Sequence, residues 1–290
     1  METILVVDDT NINIKILVEL LGDKYDIIVA IGGESAINIA SSEQPDLILL
    51  DIMMPVMDGF EVCRRLKQNP KTNDIPIIFL TAKTDEDSIE RAYEMGGSDY
   101  ILKPFKPKEL MARVKTHLKI QNLIKNLEYL SSYDTMTGIL NRRKFFELAQ
   151  NKFEKEKENL FAIMIDIDKF KGINDKFGHH VGDIVIKTIT TCIEDILPKN
   201  SIFGRIGGEE FAIICNFENE TNLFNYFEKI RNLIKEQSLN IENNTIKFTI
   251  SIGIAQYNNT FLTIDDLLKR ADKMLYKAKE TGRDKTILRK

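Results

Sequence analysis

The chain has 290 residues, 43% of them hydrophobic and 29% charged. That is globular composition with length for two domains of about 100–200 residues, so disordered, collagen-like and disulfide-scaffold classes are excluded. The net charge of −4 is unevenly spread: residues 1–106 hold 19 Asp+Glu against 10 Lys+Arg, and of the chain's 44 and 40 this leaves 25 against 30 for the remainder, an acidic front half of −9 before a basic rear half of +5.

In the front half, short apolar runs at 4–7, 27–30, 47–50, 77–80 and 100–102 alternate with helical patterns near 12–22, 34–42, 58–68 and 85–95. Buried Val, Ile and Leu runs joined by helical crossovers predict a parallel sheet covered on both faces, the doubly wound α/β class. Chemistry in such sheets gathers at the carboxyl ends of the strands. There stand Asp8 and Asp9 after the first run, Asp51 after the third, Thr81 after the fourth and Lys103 after the fifth. Each aspartate alone is an ordinary cap or turn former. Together they predict one pocket, in which three carboxylates repel unless a hard cation such as Mg²⁺ lies between them. A carboxylate beside a metal can act as nucleophile toward a phosphoryl donor, with Lys103 balancing the phosphate charge and Thr81 offering a hydrogen bond.

The motifs VVDD at 6–9, DIMMPVMDG at 51–59, TA at 81–82 and DYILKPF at 99–105 resemble the receiver domain of two-component response regulators, over residues 1–120. The resemblance implies a flavodoxin-like sheet with Asp51 as phosphoacceptor, served by a cognate sensor histidine kinase. It also implies Mg²⁺ held by Asp8 or Asp9, Asp51 and the Met53 carbonyl, with Thr81 and Tyr100 as the switch pair beside Lys103.

Residues 107–132 contain no glycine or proline beyond Pro107, which a first helical turn tolerates. At about 1.5 Å per residue they predict a helix about 39 Å long, more than one sheet needs. Two apolar seams compete along it. Leu110, Val114, His117, Gln121 and Ile124 form one; Ile120, Leu123, Leu127 and Leu130 form the other. The first suits packing on the front domain; the second suits a partner helix, most simply that of a second copy. The one-residue offset between Leu123 and Ile124 makes helix rotation a candidate signal. His117 reads as a helix residue rather than a proton-transfer group.

Further on, 161–165 reads as a buried strand ending at Asp166, followed by the oxygen-rich stretch DIDKFKGINDKFGHHVGD at 166–183. β-like runs at 201–206 and 209–214 flank Gly207-Gly208, which predicts a two-residue hairpin with both glycines at positive φ. Two glutamates leave that turn, so one can approach Asp166 while the other faces elsewhere. The helical run 267–279 ends near Lys279 and Arg283, a pair fitted to a polyphosphate or to plain dipole capping. No GxxxxGK[ST] phosphate loop is present.

The blocks DTMTGILNRR (134–143), DIDKFKGIND (166–175), FGHHVGD (177–183), GGEEF (207–211) and YKAKETGRD (276–284) resemble the GGDEF domain of diguanylate cyclases. The resemblance implies, over 133–290, an α/β nucleotidyl-cyclase-like domain with a mixed sheet, joined to the receiver by the coiled-coil linker 107–132. It implies condensation of two GTP into cyclic di-GMP across a homodimer. Asp166, the Ile167 carbonyl and Glu209 would hold Mg²⁺, with Mn²⁺ able to replace it. Glu209 would also serve as base toward the ribose 3′-hydroxyl, with Glu210 a further polar contact. Gly207 and Gly208 would admit the nucleotide. Asn174 and Asp183 would read guanine with His179 nearby, and Lys171, Lys279 and Arg283 would hold the phosphates. A carboxylate at 183 suits the guanine N1–H and N2–H₂ donors, which adenine lacks.

Two departures stand out. The RxxD product-inhibition site of many relatives is replaced by Pro198 and Ser201, which predicts no feedback there, and Asp284 stands where Asn is usual. The rival reading is a non-catalytic GTP- or cyclic-di-GMP-binding adaptor, and such domains usually lose a glycine or acid of the turn, all present here. The rear half lacks a strongly basic helix-turn-helix reader, so no nucleic-acid partner is expected.

Cys63, Cys192 and Cys215 form no CxxC pair, which argues for a reducing compartment and against a zinc site. The Met1-Glu2 start is unlike a signal peptide, and no stretch reaches the roughly 18 apolar residues of a membrane span. The expectation is a cytoplasmic protein.

Overall fold

A computed structural model describes residues 1–82, 86–241 and 244–289, the side chains of 86–88 excepted. The chain divides into two compact units, Met1–Leu127 and Glu128–Lys290.

In the first unit, β1 (Thr3–Val7), β2 (Asp26–Ala30), β3 (Leu47–Asp51), β4 (Ile77–Thr81) and β5 (Asp99–Leu102) form one sheet in the order β2-β1-β3-β4-β5. Every pairing is parallel. Between them run α1 (Asn11–Leu21), α2 (Gly33–Glu43), α3 (Gly59–Gln68) and α4 (Glu86–Glu94). Residue 85, the expected start of the fourth helix, lies outside the described residues. The period-2 alternation of strand side chains splits the apolar runs between two cores. Leu5, Val7, Ile48, Leu50 and Phe79 face α2 and α3; Ile4, Val6, Leu47, Leu49 and Leu80 face α1 and the start of α5 (Pro107–Ser132). β3 and β4 are buried at every residue, as central strands between two helical layers must be.

The α5 helix has two characters. Leu110, Val114 and Leu118 are buried in the first unit's core, whereas Ile120, Leu123, Ile124, Leu127 and Leu130 are exposed. Its polar side stays tied to the same unit, for Asn122 Nδ2 donates to Glu2 Oε1 at 2.7 Å and Lys125 Nζ to Asp46 Oδ1 at 2.7 Å.

The second unit contains α6 (Arg142–Lys155), β6 (Leu160–Ile167), α7 (Phe170–Phe177), α8 (His179–Glu194), β7 (Ile202–Gly207), β8 (Glu210–Asn216) and α9 (Glu220–Glu236). A small antiparallel hairpin, β9 (Ser238–Ile241) and β10 (Asn244–Lys247), precedes β11 (Ile250–Gln256), α10 (Ile264–Glu280) and β12 (Thr286–Arg289). The main sheet runs β12-β11-β6-β8-β7 and is mixed, with β11 and β12 parallel and the other pairs antiparallel. β6 lies at its centre, buried at all eight residues. Phe161, Ile163 and Ile165 face the α8 and α9 side; Ala162 and Met164 face α6 and α10. At Gly253 of β11 a Cβ would lie 2.1 Å from Leu275 N and 2.2 Å from Ala271 O, so α10 rests directly on the strand backbone.

No helix of the described residues is long and apolar enough to cross a membrane. All three cysteines are free; burial pushes the Cys63 thiol up to about 11 and the Cys215 thiol up to about 12.

Candidate functional site

The first unit gathers its polar residues where the sheet topology demands. Asp8 follows β1, Asp51 ends β3, Thr81 ends β4 and Lys103 follows β5, all at the carboxyl edge. Asp8 and Asp51 are buried and Asp9 is exposed; ligand oxygens of the three lie within 4.8 Å of one another. Lys103 Nζ bridges the buried pair, 2.8 Å from Asp8 Oδ2 and 2.9 Å from Asp51 Oδ2. Burial, with the Asp8 charge beside it, nevertheless raises the Asp51 carboxyl above its ordinary value, against the pull of Lys103. Met53 N donates to Asp51 Oδ1 at 3.3 Å. Behind Asp51 the chain returns so closely that a Cβ on Gly59 would lie 2.3 Å from the Asp51 carbonyl, while Asp58 caps α3 through Glu61 N at 2.8 Å.

Thr81 is buried. Tyr100 is half-buried beneath Arg113, whose guanidinium lies 5.6 Å from the ring centroid. Arg113 also pairs with Asp99 at 2.6 Å, and His117 Nε2 lies 3.1 Å from Asp99 Oδ2, so His117 is a side-chain partner on the helix. The sequence reading missed Asn13, whose amide donates to both Asp8 oxygens at 3.0 Å from the first turn of α1.

In the second unit Asp166, near the end of β6, pairs across the ladder with Glu210 on one side and Ser251 on the other. Ile167 N donates to the Glu209 carbonyl at 3.4 Å, and Lys279 Nζ, from the last turn of α10, lies 2.7 Å from Asp166 Oδ2. Burial first, then the Glu209 and Glu210 charges, raise the Asp166 carboxyl from 3.8 to about 6 despite Lys279.

The hairpin differs from expectation in two respects. Gly207 belongs to β7 and pairs with Glu210, a bulge separates Arg205 from Gly207, and only Gly208 has positive φ, at 42°. The loop residues are therefore Gly208 and Glu209, because the bulge shifts the register by one. Glu209 stands on the turn and Glu210 opposite Asp166, so neither glutamate faces elsewhere as expected and the charges of both act on Asp166. Arg205 fixes this turn by donating to the Gly208 carbonyl at 2.9 Å while pairing with Asp134 at 3.1 Å, a link not visible in sequence.

The oxygen-rich stretch is helical, broken at Gly178 with φ 86° between α7 and α8. Asn174 lies where these helices meet: a Cβ on Gly182 would stand 2.0 Å from Asn174 Oδ1, and that oxygen is buried with no hydrogen-bond partner among the described residues. Asp183 follows Gly182 and is half-buried; Lys171 and His179 are exposed. Arg283, exposed and at φ 63°, lies beyond α10. Pro198 and Ser201 line a separate cleft of about 370 Å³ with Tyr133 and Phe203.

The donor chemistry of both clusters fits a hard divalent cation. The first offers three carboxylates at one point, and the second a buried carboxylate, Asp166, on which the Glu209 and Glu210 charges also act.

The chain thus carries a parallel sheet with an acidic pocket in its first unit and a mixed sheet with a carboxylate-bearing hairpin in its second. A family model described as "Diguanylate cyclase, GGDEF domain" matches residues 131–285, and one described as "Response regulator receiver domain" matches residues 4–115. The chain belongs to the GGDEF family, with a receiver domain before the GGDEF domain. It is 28% identical to "Response regulator PleD" of Caulobacter vibrioides over 296 aligned positions, covering 98% of this chain and 65% of that protein. It is 35% identical to "Diguanylate cyclase A" of Treponema denticola over 167 positions, covering 56% of this chain and 45% of that one. The chain thus spans less than two thirds of the length of these relatives. Among solved structures it is similar to the GGDEF domain of DgcB from Caulobacter crescentus in complex with c-di-GMP. That match has a TM-score of 0.52 and 27% identity, over 55% of this chain and 93% of that one.

Proposed function

We propose that the protein is a phosphorylation-controlled diguanylate cyclase, condensing two GTP into cyclic di-GMP and two pyrophosphates across a homodimer. The observation that carries this reading is the grouping of Asp166, Glu209 and Glu210 around an intact GGEEF turn, with Lys279 on Asp166. The names of similar proteins, diguanylate cyclase among them, support it.

In this reading residues 1–120 are the receiver, 107–132 a coiled-coil linker and 133–290 the cyclase domain. Asn174, with its unpartnered buried oxygen, and Asp183 take the guanine edge, and His179 lies close to the nucleotide. Lys171, Lys279 and Arg283 hold the phosphates, while Gly207 and Gly208 leave room at the turn. Asp166, the Ile167 carbonyl and Glu209 are the donors for Mg²⁺, which when bound supplies positive charge for the phosphates and the attacking oxygen. Glu209 takes the proton of the ribose 3′-hydroxyl. The 3′ oxygen of that ribose forms a bond to the α-phosphorus of the partner's GTP as the bond to pyrophosphate breaks, and the same exchange in the other direction closes the ring. One domain holds one GTP, so two copies must face each other, and the exposed α5 stripe is the natural seam.

Asp51 is the phosphoacceptor, with Mg²⁺ held by Asp8 or Asp9, Asp51 and the Met53 carbonyl. Phosphorylation by a sensor kinase would recruit Lys103 and Thr81, reorient Tyr100 and shift the dimer between arrangements. Purified protein incubated with Mg²⁺ and GTP, with and without a beryllofluoride phosphate mimic, tests both halves when products are read by mass spectrometry. Cyclic di-GMP that rises with the mimic is the expected result. GTP bound but unconverted under both conditions would favour the adaptor reading instead.

A further inference from the structure

Asp168, just beyond β6, is buried, yet no cation pairs with it among the described residues. Its carboxylate is held by neutral donors: Ser251 Oγ at 2.7 Å on Oδ1, Thr249 Oγ1 at 2.7 Å and the Asp284 N–H at 2.9 Å on Oδ2. Its own N–H donates to the Thr249 carbonyl at 2.9 Å. A buried carboxylate is costly unless its oxygens are used, and one of these bonds reaches 116 residues along the chain to the loop after α10.

That loop has an unfavourable backbone. Gly282, Arg283 and Asp284 stand in succession at φ 119°, 63° and 45°. Two non-glycine residues in left-handed conformation persist only where the surroundings hold them. Asp168 holds the Asp284 N–H from one side. From the other, the Asp284 carboxylate pairs with Arg231 and with Lys235 Nζ, the latter at 2.7 Å. The Arg283 N–H donates to the Ala278 carbonyl at 2.9 Å. The Arg283 guanidinium, by contrast, is exposed and makes no ion pair with any described residue. The loop's backbone is pinned and its one arginine side chain is left uncommitted.

We infer that Asp168 is a positioning residue for the polyphosphate clamp: it fixes residues 282–284 so that Arg283 faces the GTP phosphates, without touching substrate itself. The inference rests on the reading of Arg283 as a phosphate contact. It also accounts for the Asp at 284, where Arg231 and Lys235 make a carboxylate the better anchor.

The test is steady-state kinetics on the full chain with Mg²⁺ and GTP, comparing Asp168→Ala, Asp168→Asn, Arg283→Ala and the double variant Asp168→Ala/Arg283→Ala, with a thermal midpoint for each. Asp168→Ala should raise KM for GTP on the order of tenfold, the scale of one charge-assisted phosphate contact, with a smaller change in kcat. Asp168→Asn keeps one acceptor for the Asp284 N–H and should recover part of the loss. In the Arg283→Ala background, loss of Asp168 should change KM less than about twofold, because the two residues act through one contact. Additive effects in the double variant, or an unchanged KM in Asp168→Ala, would overturn the inference. An unchanged KM in Arg283→Ala would instead remove the phosphate-contact reading beneath it. If Asp168→Ala does not fold, Thr249→Val removes one donor at the same oxygen. It should raise KM in the wild-type background and leave it unmoved beside Arg283→Ala; an unmoved KM in both counts against the inference.

Discussion

At Asp166 three influences oppose ionisation, namely burial and the charges of Glu209 and Glu210, and they outweigh Lys279. A folded-state pKa of about 6 against an unfolded 3.8 means that the native state holds the extra proton between those values. The resulting stabilisation is full below the unfolded value and is lost as pH rises through about 6. In metal-free protein the second unit should lose at most about 3 kcal/mol over that window, and Asp166→Asn should flatten the slope. Calorimetric melts across the range check this, and added Mg²⁺ should restore stability on the alkaline side. Glu209→Ala should keep folding and GTP binding while turnover falls on the order of a hundredfold or more. Asp51→Asn should keep basal turnover and lose stimulation by the phosphate mimic. Residues at strand ends were legible because the α/β topology brings those ends together. Asn13 and Asp168 were not, because their partners lie on another element or far along the chain, Thr249 being 81 residues away.

The strands of the first unit are legible as apolar runs because both faces of the sheet are covered, and their observed bounds differ from the runs by a residue. In the second unit the stretch 166–183 is rich in polar groups that mask two helices. Phe170, Ile173 and Phe177 nonetheless recur at helical spacing toward the core. The hairpin could not be placed to the residue, because a bulge leaves no mark in a Gly-Gly pair. Gly253 gives a sharp test of the α10 packing. Gly253→Ala puts a methyl into the α10 backbone, which cannot yield as a side-chain tip would, and should cost about 2–4 kcal/mol by chemical denaturation. The exposed stripe on α5 invites a different measurement. Cysteines introduced as Leu123→Cys or Ile124→Cys should crosslink between copies, and the ratio of yields should change with phosphorylation; equal yields in both states would count against helix rotation.

For the molecule as a whole, a cyclase completed by two copies should show activity per chain that rises with protein concentration until the dimer saturates. With Pro198 and Ser201 in place of the usual Arg and Asp, micromolar cyclic di-GMP should leave the rate unchanged through that site. The native thiols bear on how such motions can be followed. Burial holds Cys63 at about 11 and Cys215 at about 12, so at neutral pH about one in ten thousand or fewer of either is the reactive thiolate. Cys192 is the partly accessible one, and burial raises its thiol too. A single Cys192→Ser background should therefore accept maleimide spin labels at chosen sites alone. Pulsed dipolar spectroscopy could then measure distances between copies in each phosphorylation state without stripping the other two cysteines from their cores.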